Sequence, residues 1–180
     1  MKLSRTLAPW AAATALLALP ALAGAATMMP GKDAQAAFQA AKITLAQAIA
    51  TVEKQTGGKT TNAAFESMNG KNGYAVTVFA NGAIQAMWVD PQSGAASNID
   101  KPDSTEASIE ALDKTEATTL TSAKASLPQA VSMAEQKAGG RAFDAGLQKH
   151  NAVVQIGVDV LKGGKLSTYW VDPAVGKLAT

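Results

Sequence analysis

The sequence contains no cysteine and a single histidine, His150, among its 180 residues. Without cysteine there are no disulfide bonds, no thiol nucleophile and no lipid-bearing cysteine of a bacterial lipoprotein. A zinc site needs three or four His, Cys or carboxylate ligands, and base catalysis needs a partner that orients the imidazole. No Gly-rich phosphate loop is present. We therefore expect no enzymatic activity, no metal and no cofactor, with His150 solvated in the turn that follows Lys149.

An excess of charge of one sign is also lacking. The chain has 16 Lys and Arg against 14 Asp and Glu. Two of the basic residues, Lys2 and Arg5, lie in the N-terminal segment that is predicted below to be a signal peptide, so the remaining chain is balanced at 14 basic against 14 acidic residues. Nucleic-acid binding depends on clustered basic residues that neutralise phosphates. The balance therefore argues against a nucleic-acid partner.

Long apolar runs are absent except at the N-terminus. Residues 7–22 are apolar, two prolines interrupt them, and a basic start and an Ala-rich end flank them. This pattern is typical of a secretory signal peptide, which we place at residues 1–26 with cleavage after Ala23, Ala25 or Ala26. A retained anchor is the alternative. The signal peptide predicts a periplasmic protein, or a secreted one where there is no outer membrane, without a stable membrane anchor after cleavage.

One stretch of the sequence occurs twice. Residues 82–94 and 164–176 share a Trp-Val-Asp-Pro-x-x-Gly ending, and the match continues without a gap back to residues 42 and 124. An internal match of this length predicts a tandem duplication. Units so small bury too little apolar surface to be stable alone, so we expect the two repeats to contact each other.

The duplication divides the chain into five predicted segments. They are a signal peptide (1–26), a leader with a short helix (27–41), a first repeat (42–95), an acidic Ser/Thr/Ala linker (96–123) and a second repeat (124–180). Phe38 is the one sizeable apolar anchor of the leader helix. Within the linker, Ser104–Leu112 can form a second short helix.

Each repeat begins with a capped amphipathic helix. Thr44 and Gln47 have the spacing of a capping box, and Ser126 and Gln129 repeat it. Apolar residues then recur at i, i+3, i+4 and i+7, and a Gly-Gly pair follows in both repeats. We therefore predict two short helices, each with one apolar face.

Alternating apolar residues predict strands after each helix. In the first repeat these are Tyr74–Ala80 and Ile84–Val89, joined by the hairpin dipeptide Asn81-Gly82. Val153–Val160 and Leu166–Val171 correspond to them in the second repeat. With the mixed segment that precedes each pair, each repeat is predicted to be one helix packed on a three-stranded antiparallel sheet. The predicted class is α+β.

The ending of each repeat predicts a structural turn. In an Asp-Pro-x-x-Gly sequence, the carboxylate accepts backbone amides, proline presets the next dihedral and glycine takes a positive φ. The six turn residues are Asp90, Pro91, Gly94, Asp172, Pro173 and Gly176. Neither aspartate lies in the D-x-D-x-D pattern of a calcium loop, so turn capping is favoured over metal binding.

The order of these motifs resembles the PepSY domain. The capped helix, the Gly-Gly stop, the Tyr-x-Val-x-Val strand at Tyr74–Val78 and the Trp-Val-Asp-Pro-x-x-Gly ending carry the resemblance, in two copies at residues 42–95 and 124–180. The second copy has Ile156 where the first has Tyr74. The resemblance implies a cystatin-like unit without catalytic residues. PepSY domains occur in propeptides of thermolysin-like metallopeptidases and in exported bacterial proteins, and are thought to restrain peptidases.

The aromatic residues of the last strands form the predicted binding surface. If the valines that follow Trp88 and Trp170 face the helices, both tryptophans lie on the opposite face of the sheet. Together with Phe79 and Tyr169 they form an aromatic platform of the kind found at binding hot spots. The favoured alternative is that the tryptophans belong to the core or bury each other between the repeats, because two small units need such anchors.

We therefore expect a non-catalytic exported protein that binds protein or peptide, with peptidase restraint as the leading specific function. Strand addition at a sheet edge is a mechanism that short antiparallel sheets permit. Two alternatives stay open. One is a small-ligand or metal-sensing domain that uses the groove between the repeats, and the other is a structural partner in an envelope complex.

Overall fold

The structure, a computed structural model, describes residues 31–99, 119 and 122–179. The predicted signal peptide and the helix predicted over Ser104–Leu112 lie outside these residues. The described elements, in chain order, are α1 (Lys32–Gln39), α2 (Leu45–Thr56), β1 (Lys59–Met68), β2 (Lys71–Ala80), β3 (Ala83–Val89), β4 (Ala96–Asn98), α3 (Leu127–Ala138), β5 (Arg141–His150), β6 (Val153–Lys162), β7 (Lys165–Asp172) and β8 (Lys177–Leu178). None of the helices in these residues is long and apolar enough to cross a membrane.

The eight strands form one antiparallel sheet in the order β4-β3-β2-β1-β5-β6-β7-β8. The α+β class is confirmed. The sequence left open whether the sheets of the two repeats join; the structure has one sheet, to which each half contributes four strands instead of the predicted three. The first half (α1 to β4) and the second half (α3 to β8) are joined because β1 pairs with β5 through Asn62↔Gly146, Ala63↔Ala145 and Ala64↔Asp144. Elements α2 and α3 also contact each other.

A short fourth strand completes each half at the outer edge of the sheet. Ala96–Asn98 form β4, although the sequence places these residues in the linker, and Lys177–Leu178 form β8. Strands of two or three residues are too short to show an alternating pattern. They pair with the last residues of β3 and β7, directly after the Asp-Pro turns.

Both long helices begin with a capping box and end at a glycine. Thr44 Oγ1 accepts from the Gln47 amide at 3.2 Å, and Gln47 Oε1 accepts from the Thr44 amide at 2.8 Å. Ser126 and Gln129 make the same two bonds at 3.4 and 2.9 Å. The helices end where Gly57 and Gly139 take φ values of 70° and 66°. Left-handed φ at these sites favours glycine.

The Asp-Pro turns hold the start of each helix in place. Asp90 Oδ1 accepts three bonds from Gln92 and Ser93, which lower the pKa of its carboxyl, and the bonds from Ser93 contribute most. Pro91 carbonyl oxygen accepts the amides of Lys42 and Ile43. In the second half the Pro173 carbonyl binds Lys124 and Ala125 in the same way, next to the Asp172 turn. Gly94 and Gly176 close the two turns with φ of 75° and 69°.

The core lies between the helices and one face of the sheet. Its largest fully buried side chains are Tyr74, Phe38, Phe65, Leu45, Ile49, Met87 and Ile156. From α1, Phe38 inserts into this core with 1% of its surface exposed. Its ring meets those of Phe65 and Phe143 edge to face, each at 5.2 Å between centroids.

Arg141 ties the two halves together at the start of α2. Its guanidinium donates to four backbone carbonyls, those of Phe38, Gln39, Ala41 and Ile43, at 3.0–3.4 Å. It also lies 5.0 Å from the Phe38 ring centroid. The Tyr74 hydroxyl donates to the same Ile43 carbonyl at 2.7 Å. One cation from the second half thus satisfies the irregular backbone that leads into the first long helix.

Candidate functional site on the open face of the sheet

The face of the sheet that points away from the described helices is called the open face below. Val89 and Val171 are fully buried on the helix side. Because side chains alternate along a strand, the preceding residues, Trp88 and Trp170, lie on the open face. Four strands separate β3 from β7, which places the tryptophans roughly 24 Å apart at a normal strand spacing. The two rings therefore do not bury each other.

Each tryptophan ring packs flat over a glycine of the neighbouring strand. A Cβ built on Gly73 would lie 2.5 Å from the Trp88 ring, and one built on Gly157 would lie 2.9 Å from the Trp170 ring. Any larger residue at these positions would displace the ring. Both tryptophans are half-buried. The glycines thus hold two aromatic surfaces against the sheet while leaving part of each ring accessible.

His150 adds a second ring to the Trp170 end of the face. The two rings stack with centroids 4.2 Å apart and planes 18° from parallel. The prediction of a solvated His150 in a turn is corrected. The turn consists of Asn151 and Ala152, which have φ of 50° and 63°, and His150 is the last residue of β5.

The other two predicted platform residues lie elsewhere. Phe79 is half-buried on the open face, paired with Ile84 at the opposite end of β2 from Gly73. Tyr169 packs against the core on the helix side. It therefore does not join Trp170, because adjacent residues of a strand point to opposite faces.

Acidic residues occupy the open face between the two tryptophans. Asp144 on β5 pairs directly with Asp159 on β6, and Asp159 pairs with Thr168 on β7. Glu66 lies two residues along β1 from Ala64, the partner of Asp144. This group is not evident from the sequence, because its residues are not among those that the two repeats share. The residues matching Asp144 and Asp159 in the first repeat are the uncharged Asn62 and Thr77.

Burial and mutual repulsion set the electrostatics of these carboxyls. Desolvation raises the pKa of Asp144 to about 7, with further contributions from the charges of Asp159 and Glu66. Asp159 is 5% exposed and accepts a hydrogen bond from the Thr168 hydroxyl. Desolvation of its carboxyl also raises the pKa of Glu66, although the residue as a whole is exposed. In the described part of the chain, none of the three carboxylates forms an ion pair.

The open face combines aromatic and acidic groups. It offers two flat aromatic rings with carboxylates between them. Within residues 31–99 and 122–179, no group of three His, Cys, Asp or Glu side chains has the geometry to hold a metal ion. The predicted turn aspartates Asp90 and Asp172 are used as turn acceptors.

A cavity of about 360 Å³ lies at the start of α3. This place corresponds to the start of α2, where Arg141 binds the backbone carbonyls. Lys59 takes the position of Arg141, and Ile156 that of Tyr74, so the space is less completely filled. The lining residues are Glu53, Lys59, Thr60, Ala123, Lys124, Ala125, Ser126, Leu127, Gln129, Leu147 and Ile156. The Thr60 hydroxyl is buried there without a hydrogen-bond partner among the described residues.

The sheet edges leave little room for an added strand. At one edge, β4 covers residues Met87–Val89 of β3, and at the other β8 covers Val171 and Asp172 of β7. The stretches without a neighbouring described strand are therefore short, Ala83–Gln85 and Lys165–Tyr169. A short edge supplies few main-chain hydrogen bonds, which disfavours strand addition as the main mode of binding.

Comparisons with known proteins support part of this description. No curated protein sequence matches the chain. A crystal structure of a “putative lipoprotein” from Clostridium difficile 630 matches 77% of this chain and 91% of its own, with 18% sequence identity and a TM-score of 0.38. Residues 42–99 match the family model of the PepSY domain, described as the peptidase propeptide and YPEB domain. The match ends just after β4, and it confirms a PepSY domain in the first half.

Proposed function

We propose that this chain is a non-catalytic exported protein whose two PepSY-like modules bind protein or peptide on the open face, with restraint of a peptidase as the leading specific function. The observation that carries the proposal is the pair of tryptophans, Trp88 and Trp170, each laid flat over a glycine on a face without described helices. Accessible tryptophans on a rigid sheet are typical anchors of protein interfaces.

The proposal of two modules derived by duplication is supported by corresponding contacts. The capping boxes at Thr44 and Ser126 agree atom for atom. The side chains of Glu53 and Glu135 each accept the backbone amide of the second residue of the following strand, Thr60 of β1 or Ala142 of β5. The pairing order of strands is also the same outward from β1 and from β5.

The proposal of export to the periplasm is supported by the leader sequence at residues 1–26. Peptidase restraint is supported by the family name, since PepSY domains are described as peptidase propeptide domains. In a propeptide, a non-catalytic domain acts by occupying a surface of the enzyme. The open face is the surface of this protein best suited to such contact.

An inhibition assay tests this function. Residues 27–180 would be added to a thermolysin-like metallopeptidase and to the peptidases recovered from periplasm with the protein as bait. We expect a fall in peptidase activity that the Trp88→Ala/Trp170→Ala variant no longer produces. Tyr169→Ala, an aromatic truncation on the helix side, is the matched control and should still inhibit while its circular dichroism stays native. If the tryptophan variant inhibits as strongly as the wild type, the open face is not the surface that contacts the peptidase.

The cavity near Lys59 supports a second candidate function, the binding of a small molecule. Its volume of about 360 Å³ lies within the usual range for ligand pockets. A ligand that prefers the folded protein raises its melting temperature. Thermal-shift screening should therefore find compounds that stabilise the wild type but not Ile156→Tyr, in which the larger side chain occupies the cavity. Compounds that stabilise both proteins equally would not be cavity ligands.

A further inference from the structure

The charges on the open face are distributed unevenly. Asp144, Asp159 and Glu66 lie at its centre, where β1, β5 and β6 adjoin. Among the described residues, lysines lie only at the margins of this face: Lys71 begins β2, two residues before Gly73, and Lys177 pairs with Asp172 at the outer edge of the sheet. No described cation forms an ion pair with any of the three carboxylates. The centre of the face therefore carries uncompensated negative charge.

Such an arrangement is unfavourable for the isolated protein. Like charges directly opposite each other on neighbouring strands destabilise a sheet, and Asp144 and Asp159 are direct partners. Asp159 is also 5% exposed, so its charge is poorly solvated. The positions that match them in the first half, Asn62 and Thr77, show that the same strand positions accept neutral side chains. A cationic group placed against the pair would relieve the repulsion.

The aromatic rings favour the same kind of group. Arginine stacks on tryptophan through cation–π contact and binds carboxylates with two parallel hydrogen bonds. Lysine satisfies the charge but lacks the planar fork. A face with carboxylates at the centre and Trp88 and Trp170 at either side is thus complementary to a chain that carries several guanidinium groups. The distance of roughly 24 Å between the rings corresponds to about seven residues of extended chain.

We propose that the open face binds an extended, arginine-bearing polypeptide segment, with its guanidinium groups on Asp144 and Glu66 and on the rings of Trp88 and Trp170, and with Asp159 as the buried partner of Asp144. This inference rests on the proposed function and specifies the partner: the protein or peptide presents a basic segment. Burial is the main reason that the pKa of Asp144 is raised, and the neighbouring negative charges of Asp159 and Glu66 raise it further.

The test uses a nine-residue peptide of alternating arginine and serine as the probe. The control peptide has citrulline at every arginine, which keeps the shape and hydrogen-bonding groups but removes the charge. Binding to residues 27–180 is measured by isothermal titration calorimetry at pH 8 and low salt. The expected result is binding of the arginine peptide at least tenfold tighter than that of the citrulline peptide, with affinity that falls as salt is added.

Variants then locate the contact. Asp144→Asn/Asp159→Asn should weaken the binding of the arginine peptide at least tenfold. Because the substitution removes like charges, the protein should stay folded. Asp33→Asn removes one charge from α1, on the helix side, and should change the affinity less than twofold. Equal affinity of the two peptides, or of wild type and the double Asn variant, would overturn the inference.

The same experiment separates this inference from the proposed function. If the citrulline peptide binds as tightly and Trp88→Ala/Trp170→Ala abolishes its binding, the open face binds peptide without reading charge. In that case the proposed function stands, and the inference that the partner presents a basic segment is wrong. If neither peptide binds while the open-face tryptophans are still required for peptidase inhibition, the arginine-bearing segment is likewise excluded.

Discussion

The first and second halves have the same framework, but they differ where the chain enters each long helix. In the first half, Arg141 and Tyr74 bind the backbone before α2, and Phe38 fills the adjoining core. At the start of α3 the corresponding residues are Lys59, which comes from β1, and Ile156, and a cavity of about 360 Å³ remains. The capping residues and turns specify the fold in both halves. The residues that fill the space beneath them are specific to each half.

The open face shows the opposite distribution. Both halves have a tryptophan laid over glycine, but two of the three central carboxylates, Asp144 and Asp159, belong to the second half. The start of the first long helix is thus the more completely packed of the two, whereas the second half supplies most of the central carboxylates of the open face. We therefore expect substitutions at the helix starts to change stability and substitutions on the open face to change the proposed binding.

The largest expected effect is at Arg141. Arg141→Ala removes the donor to four backbone carbonyls and should lower the free energy of unfolding by about 3 kcal/mol, because the carbonyls that are buried lose their partner. The matched change in the other half, Lys59→Ala, should stay within about 0.5 kcal/mol. Urea denaturation followed by circular dichroism measures both. Similar losses in the two variants would show that Arg141 is not the key contact of the first half.

Gly73→Ala should have the next largest effect. The added methyl group would lie 2.5 Å from the Trp88 ring, so the ring must move off the sheet. We expect a loss of about 2 kcal/mol, as for other overpacked sites, together with a red shift of tryptophan emission. Gly31→Ala is the control, since a Cβ there meets nothing within 4 Å. A native emission spectrum in Gly73→Ala would contradict the packing of ring on glycine.

Asp144→Asn should change the pH dependence of stability. The folded pKa of Asp144 is about 7 against an ordinary value of 3.8, so the folded state holds the proton more strongly. The stability that this group contributes is complete below pH 4 and is lost as the pH rises to about 7. Asp144→Asn should remove that decline and stabilise the protein at pH 8 by on the order of 2 kcal/mol.

Denaturation at pH 4, 6 and 8 tests this expectation, with Asp33→Asn as the control. Both groups that face Asp144 and raise its pKa, Asp159 on β6 and Glu66 on β1, remain in the variant. The prediction fails if wild type and Asp144→Asn lose the same stability between pH 4 and pH 8.

The smallest of these effects concerns Tyr74. Tyr74→Phe removes the hydrogen bond to the Ile43 carbonyl and should cost about 1 kcal/mol at pH 7. Burial raises the pKa of Tyr74 to about 12, so wild-type stability should decline from pH 10 to pH 12 as the unfolded chain loses this proton first. The variant should lack that part of the decline. An equal decline in wild type and Tyr74→Phe between pH 10 and pH 12 would contradict this assignment.

Much of the framework could be predicted from the sequence because it rests on local rules. The capping boxes at Thr44 and Ser126 and the Asp-Pro turns need only neighbours within a few residues. The alternation around Trp88 and Trp170 identified their face once the valines beside them were buried. The joining of β1 to β5 could not be predicted, since no local signal specifies which edges pair between two units.

The central carboxylates were missed for a related reason. Asp144 and Asp159 are distant in sequence from Glu66, and only the pairing across β1, β5 and β6 brings the three together. The role of Arg141 was equally hidden, because its acceptors lie about 100 residues earlier in the chain. A comparison of the repeats emphasises shared residues such as Trp88 and Trp170, whereas the three carboxylates lie at positions where the repeats differ.

The most direct test of the open face is a nitrogen–proton NMR spectrum of residues 27–180 during titration with the arginine–serine peptide. The third tryptophan, Trp10, lies in the predicted signal peptide, so residues 27–180 give two indole signals, from Trp88 and Trp170. If the face binds an extended segment, both indole signals will shift together along one saturable binding curve. If both remain unmoved while backbone signals around Lys124 and Leu127 shift, the peptide occupies the cavity, and the open face is not the binding surface.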